Sequence, residues 1–118
     1  KVQALHLEDD SLVFVKSLTI YNSGETYEDL IINNVYTGMD TATYFRSDAT
    51  PWGETKAAKF KKVIVKDEIS PVSTAYWFYG FKNCTSYELE KLDMSNVTSM
   101  DWMFRNNTAL RNIDLGYN

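Results

Sequence analysis

Several residue types that support common kinds of chemistry are nearly absent from this chain. It has a single cysteine, Cys84, and a single histidine, His6, so an internal disulfide and an all-protein Cys/His zinc cage are both excluded. No apolar run approaches the roughly 20 residues that a membrane-spanning helix needs. No glycine-rich loop precedes a helical pattern, which leaves no phosphate cradle. The sequence therefore directs attention to surfaces rather than to a metal or nucleotide site.

The charge balance also limits the partners of the chain. Sixteen acidic and twelve basic side chains give a formal net charge of −4, and the acids are scattered. The short basic stretch at 59–62 is too small for a nucleic-acid surface, which requires a larger positive field, and it predicts solvated lysines beside a strand. The 118 residues suffice for one domain, and 44% hydrophobic content supports a packed core.

The first part of the chain has the alternation and turn signals of β-structure. Residues 2–8 and 12–21 predict two strands joined as a hairpin, since an acidic turn separates them. Residues 30–36 are rich in β-branched and aromatic types and predict a third strand. Residues 54–59 predict a short helix, and 60–66 alternate as a further strand.

A repeat dominates the second part. Two stretches superimpose so that Phe78 falls on Phe104, 26 residues apart. A period of this size is typical of a solenoid, in which one supersecondary unit stacks on the next. Each copy contains hydrophobic residues at helical spacing, followed by an extended segment. The predicted short helices are 74–80 and 98–105, and the predicted parallel strands are 87–89 and 113–115.

The residues that carry this repeat also resemble a known family. Ser73-Thr-Ala-Tyr-Trp-Phe-Tyr-Gly80, Leu92-Asp-Met-Ser-Asn-Val-Thr-Ser-Met-Asp-Trp-Met-Phe104 and Leu110-Arg-Asn-Ile-Asp-Leu115 are similar to the bacterial BspA-like surface-protein repeat, a leucine-rich-repeat variant. The resemblance implies an α+β, β-rich fold in which an N-terminal β cap at 1–72 leads into about two leucine-rich-like repeats at 73–118. It also implies a single continuous domain.

Three positions depart from the family pattern. Phe81 and Asn107 stand where the family usually has cysteine, and Cys84 stands where it has leucine. Asn107 is expected to bond neighbouring backbone, whereas Phe81 cannot do so and indicates an atypical capping unit. Cys84 is expected to act as a small buried hydrophobic residue.

Catalytic and metal-binding arrangements receive little support from the sequence. A nucleophilic pair of His6 with Cys84 and an acid–base pair such as Glu88 with Glu90 are possible, but solvated or structural roles explain these residues better. The acidic stretches 8–10 and 93–96 could contribute calcium ligands, yet neither has the twelve-residue loop pattern. We therefore expect no enzyme, no catalytic residue, no metal and no cofactor.

A binding surface is the more specific expectation. Trp77 and Phe78 are predicted to lie in the core, and the neighbouring aromatic and basic side chains at matching places of the two copies are predicted to be partly exposed. The candidate ligand-contact residues are Tyr76, Tyr79, Trp102 and Arg105. A packing ridge that seals against a further repeat is the alternative interpretation of these side chains.

The resemblance implies a noncatalytic adhesion module of a bacterial cell-surface or secreted repeat protein, which contacts a host protein, a glycan or another surface protein. The partner would not be a nucleic acid, and no membrane insertion is expected within this chain. Because the chain begins at Lys1, we expect its targeting signal to lie outside it. The alternative is a structural spacer or capping fragment of a longer repeat protein with the ligand site elsewhere.

Overall fold

A mixed β-sheet organises the molecule. The computed structural model describes residues 1–115, and within them it contains seven strands and one short helix. The strand order across the sheet is β3-β4-β1-β2-β5-β6-β7. The elements are β1 (Val2–Leu7), β2 (Ser11–Lys16), β3 (Thr26–Tyr27), β4 (Leu30–Tyr36), α1 (Gly53–Ala57), β5 (Lys62–Val65), β6 (Ser86–Glu88) and β7 (Asn112–Asp114).

The antiparallel half of the sheet begins with the predicted hairpin. β1 pairs with β2 across a tight turn in which Asp10 has a φ of 63°, a region that Asp tolerates better than most residues. The Asp9 carboxylate accepts hydrogen bonds from the backbone N–H and the hydroxyl of Ser11, which fixes the turn. β4 then pairs with the other edge of β1, and β3 pairs with β4. The hairpin and the strand at 30–36 are thus confirmed.

The second strand is shorter than the sequence predicts. β2 ends at Lys16 instead of continuing to residue 21, and the side chain of Leu18 is 97% exposed. The cause is a competing partner for the backbone, because the Gln3 amide donates to the Thr19 carbonyl and accepts from the Tyr21 N–H. A side-chain amide therefore replaces the strand partner that a continued ladder would have required.

The parallel half of the sheet joins the two regions of the sequence. β5 pairs in parallel with β2 on one side and with β6 on the other, and β7 continues the series. Tyr87 lies opposite Ile113, at a separation of 26 residues. The predicted parallel pairing of the two extended segments is confirmed, although each strand begins one residue earlier than predicted.

The main core lies on one face of this sheet, where strands, α1 and the segment at 73–81 meet. Phe14 of β2 stacks on Trp77 with ring centroids 5.0 Å apart and packs edge-on against Trp52. A smaller apolar cluster covers the opposite face of the antiparallel half. Burial of this many large rings on one face is the dominant stabilising contribution, since each removes a wide apolar area from water.

The predicted fold class is wrong. The molecule is a single mixed seven-stranded sheet whose helical content, within residues 1–115, is limited to the five residues of α1, and it is not an α+β solenoid of leucine-rich repeats. The segments 74–80 and 98–105, predicted as helices, form turns. Their hydrophobic residues are bunched as in a helix. Alternate backbone N–H groups of the first segment, however, donate to the second, and those of Trp77 and Tyr79 donate three residues back instead of the four of an α-helix.

The sheet and its main core run through both regions, 1–72 and 73–118. The boundary between them at 72/73 stays a prediction. The last three residues of the region 73–118 lie outside the described residues. Within the described part, no helix has both the length and the apolar character needed to cross a membrane.

Candidate ligand-binding surface

Two stacked turn segments, 73–80 and 99–106, build the candidate surface. Alternate backbone N–H groups of the first segment donate to carbonyl oxygens of the second at 2.9–3.0 Å. This series sets the two segments side by side in a fixed register. The donor and acceptor pairs are Thr74 with Ser99, Tyr76 with Asp101, Phe78 with Met103, and Gly80 with Arg105.

The same register sorts side chains between core and surface. Trp77 and Phe78 are fully buried, and Met103 is buried with them. Tyr76 and Tyr79 are half-buried, whereas Trp102 and Arg105 of the second segment are exposed. The predicted split between core and partly exposed aromatic residues is confirmed.

Tyr76, Tyr79, Trp102 and Arg105 converge on one surface, which we call the aromatic cluster. The rings of Tyr76 and Trp102 are parallel within 4°, with centroids 6.3 Å apart. The Tyr79 ring lies 5.6 Å from that of Tyr76 and 6.4 Å from that of Trp102. The Arg105 guanidinium carbon sits 4.4 Å from the Trp102 ring centroid, within the range of a cation–π contact. Trp102 remains 47% exposed, so the cluster is open to a partner.

Beneath the cluster, an aromatic column and an asparagine lock the register. Phe78 lies 5.6 Å from Phe104 and 5.1 Å from Tyr87, measured between ring centroids. The Asn107 amide donates to the Phe78 carbonyl at 2.8 Å, and its oxygen accepts from the Tyr87 hydroxyl. The predicted backbone contact of Asn107 is confirmed. Because the Tyr87 hydroxyl is buried, this hydrogen bond provides a partner for a donor that would otherwise reduce the stability of the fold.

The backbone under the cluster adopts an unusual conformation. Tyr76 and Trp102 both have left-handed φ values, 63° and 60°, as do Gly80 and Asn106 four residues further along each segment. Gly and Asn tolerate this region, but a bulky residue loses about 1–2 kcal/mol there. Each ring contact contributes about 0.5–1.5 kcal/mol beyond the burial of apolar area, which offsets this loss. Backbone outliers of this kind concentrate at ligand sites, which makes Tyr76 and Trp102 candidates for ligand contact.

A polar cleft adjoins the cluster and shares Tyr79 with it. The cleft has a volume of about 390 Å³ and lies between α1 and the two turn segments. Its polar lining side chains are Glu54, Lys82, Asn106 and Thr108. Sequence reasoning missed all four as site residues, although the Asn106-Asn-Thr108 triplet marks two of them as a polar turn. Glu54 comes from α1, and no local signal connects it to the repeat.

His6 and Cys84, the nucleophilic pair considered from the sequence, each have another hydrogen-bond partner. His6 Nε2 lies 2.8 Å from Asp10 Oδ1, and the His6 ring packs edge-on against the ring of Phe60. Cys84 is buried, donates to the Ser86 carbonyl, and has its pKa raised by desolvation. Such a thiol is a poor nucleophile. The prediction that Cys84 behaves as a small buried hydrophobic residue is confirmed.

The acidic candidates are also engaged in structural contacts. Glu88 forms an ion pair with Lys62 at 3.0 Å across β6 and β5. The Asp93 carboxylate accepts from the backbone N–H of Ser95 and from the Ser70 hydroxyl, and these hydrogen bonds, that to Ser95 first, lower its pKa. Within residues 1–115, no three acidic, histidine or cysteine side chains are grouped so that they could hold a metal ion.

Comparisons with known proteins give no family assignment. No protein-family model matches the sequence, and neither the curated proteins nor the solved structures include a match. The function must therefore be inferred from the geometry of the aromatic cluster and from the resemblance carried by the repeat.

Proposed function

We propose that the chain is a noncatalytic binding module of a bacterial cell-surface or secreted protein, and that its ligand contacts the aromatic cluster. The observation that carries this proposal is the convergence of three rings and one guanidinium on an exposed surface. Tyr, Trp and Arg dominate the energetically important positions of binding surfaces because they combine large contact area with hydrogen-bonding groups.

The rigidity of the surface supports the same proposal. Both segments that carry the cluster are fixed by backbone hydrogen bonds and by the buried column beneath them. A ligand would thus meet rings that are already ordered, and little conformational entropy would be lost on binding. The cellular location and the adhesive role rest on the resemblance to the BspA-like repeat, and the partner expected from it is a host protein, a glycan or another surface protein.

A binding comparison between Trp102→Ala and Phe45→Ala tests the proposal. Phe45 is 80% exposed and makes a matched control, because its replacement removes an exposed aromatic ring outside the cluster. We expect the wild type and Phe45→Ala to bind host cells or immobilised host-matrix components equally. Trp102→Ala should bind at least tenfold more weakly, which corresponds to a loss of about 1.4 kcal/mol or more.

Circular dichroism and thermal unfolding would establish that both variants fold. Equal binding by the two variants would contradict the assignment of the ligand to the aromatic cluster. Loss of binding in Phe45→Ala alone would place the ligand elsewhere on the chain.

A second candidate function, a spacer or capping piece of a longer protein, is favoured by one observation. An apolar cleft of about 310 Å³ lies at the β7 end of the core, lined by side chains of the second turn segment and of the chain on either side of it. Its lining residues are Leu89, Leu92, Met94, Met100, Met103, Phe104 and Leu115. A chain that binds neither host cells nor host-matrix components, but gains stability when joined to its following sequence, would favour this function.

A further inference from the structure

We infer that the aromatic cluster and the adjoining polar cleft together form a binding site for an uncharged oligosaccharide. This inference rests on the proposed binding function and names the chemical class of the ligand. Its starting point is the shared residue Tyr79, whose ring belongs to the cluster and also lines the cleft. A ligand that covers the rings would therefore also reach the polar side chains.

The composition of the site matches the two kinds of surface that a sugar ring presents. A pyranose has apolar C–H faces, which pack on aromatic rings, and a rim of hydroxyl groups, each of which both donates and accepts hydrogen bonds. The aromatic cluster supplies the rings. The cleft supplies an amide from Asn106, a hydroxyl from Thr108, and an ionic donor and acceptor from Lys82 and Glu54.

The charges of the site favour a neutral ligand. Lys82 and Glu54 line the polar cleft, and Arg105 and Asp101 line a shallow depression beside Trp102. An anionic sugar would meet one acidic and one basic side chain in each region, so the electrostatic attraction would largely cancel. The hydroxyl-rich rim of an uncharged sugar can use all four groups as hydrogen-bond partners.

The geometry also points to more than one sugar residue. The rings of Trp102 and Tyr79 differ in orientation by 49°, and their centroids are 6.4 Å apart. Two such rings cannot lie flat against a single small pyranose, but they can each face one residue of a twisted chain. A cleft of about 390 Å³ beside the second ring is within the usual size range of small-ligand sites.

Tryptophan fluorescence gives a direct readout, because Trp102 is the exposed member of the three tryptophans, and Trp52 and Trp77 are buried. Cellohexaose, chitohexaose and mannohexaose would be titrated as uncharged probes, with a heparin hexasaccharide as the anionic probe. We expect an uncharged probe to shift the emission and to protect Trp102 from acrylamide quenching. Calorimetry on the same samples gives the affinity without relying on the tryptophan.

Variants then locate the site. Asn106→Gly removes the amide and keeps a residue suited to the left-handed backbone, as Gly80 does at the matching place, and it should weaken binding about fivefold. Trp102→Ala should weaken binding at least tenfold. Phe45→Ala and Asn96→Gly, which change exposed residues outside the site, should bind as the wild type does.

The outcomes separate this inference from the proposed function. Binding of an uncharged probe, weakened by both site variants and by neither control, is the expected result. If only the heparin fragment or only immobilised proteins bind, and Trp102→Ala abolishes that binding, the saccharide inference is overturned and the binding function stands. Binding of no saccharide and no protein would overturn both.

Discussion

Replacing Asn107 by alanine should destabilise the fold far more than the partial exposure of this side chain suggests. The side chain bridges the Phe78 carbonyl and the buried Tyr87 hydroxyl, and so connects the two stacked segments with β6. The Phe78 carbonyl keeps a second donor, the Phe81 N–H, at 3.2 Å. The loss there is one hydrogen bond, about 1 kcal/mol net.

The larger part of the cost comes from Tyr87. Its hydroxyl is buried, and this desolvation raises the pKa of the side chain; the alanine variant removes its oxygen acceptor and leaves only the Cys84 sulfur, a weak acceptor. A buried donor in that state costs about 1–3 kcal/mol. The total expected loss of unfolding free energy is therefore about 2–4 kcal/mol. The control Asn96→Ala, in an exposed turn, should stay within about 0.5 kcal/mol.

A double-mutant cycle with Tyr87→Phe tests this division. Once the hydroxyl is gone, Asn107→Ala should cost only about 1 kcal/mol, so the coupling energy should be about 1–3 kcal/mol. Urea titration followed by tryptophan fluorescence, to which the buried Trp52 and Trp77 contribute, measures all four free energies. Coupling below about 0.5 kcal/mol would refute the reasoning, as would equal costs for Asn107→Ala and Asn96→Ala.

Three further changes test the core and its titrating groups. Phe78→Ala should cost about 3–5 kcal/mol because its ring is fully buried among other aromatic rings, whereas Leu18→Ala should cost little; similar values in urea titration would contradict the assigned core. Desolvation raises the pKa of the Cys84 thiol, so iodoacetamide should modify the folded chain far more slowly than the urea-unfolded chain near pH ~9, and equal rates would disprove this. Desolvation raises the pKa of Tyr36 from 10.0 to about 12, so its contribution to stability is full below the unfolded value and is lost as the pH rises towards 12. Tyr36→Phe should flatten the fall of the unfolding temperature over that range, and an unchanged profile would argue against it.

Much of the sheet could be predicted because its signals are local. Residues 30–36 are rich in β-branched and aromatic types, and the structure has β4 at those bounds. The 26-residue period could also be read directly, since the two copies share an aromatic pattern. The end of β2 could not be predicted, because it depends on the side chain of Gln3, which competes for the backbone of residues 19 and 21.

The helical interpretation of 74–80 and 98–105 failed for a different physical reason. Hydrophobic residues spaced by three and four positions satisfy a helix, but the same spacing fits turns whose backbone bonds to a neighbouring segment. The deciding feature is the left-handed conformation of Tyr76 and Trp102, and neither residue type signals it. Only Gly80 and Asn106 are residue types that favour the left-handed conformation and so argue locally against a continuous helix.

The core and the candidate site depend on the same register. A shift of 26 residues that places Phe78 against Phe104 inside the molecule also places Tyr76 against Trp102 outside it. Because each copy has an aromatic residue at the same surface position, stacking of the two copies places these rings in a row, and no additional loop is needed to present them. The polar cleft has another origin, because Glu54 reaches it only when Trp52 packs α1 on the core. The row follows from the period in the sequence, whereas the cleft follows from tertiary packing, which explains why sequence reasoning found the first and missed the second.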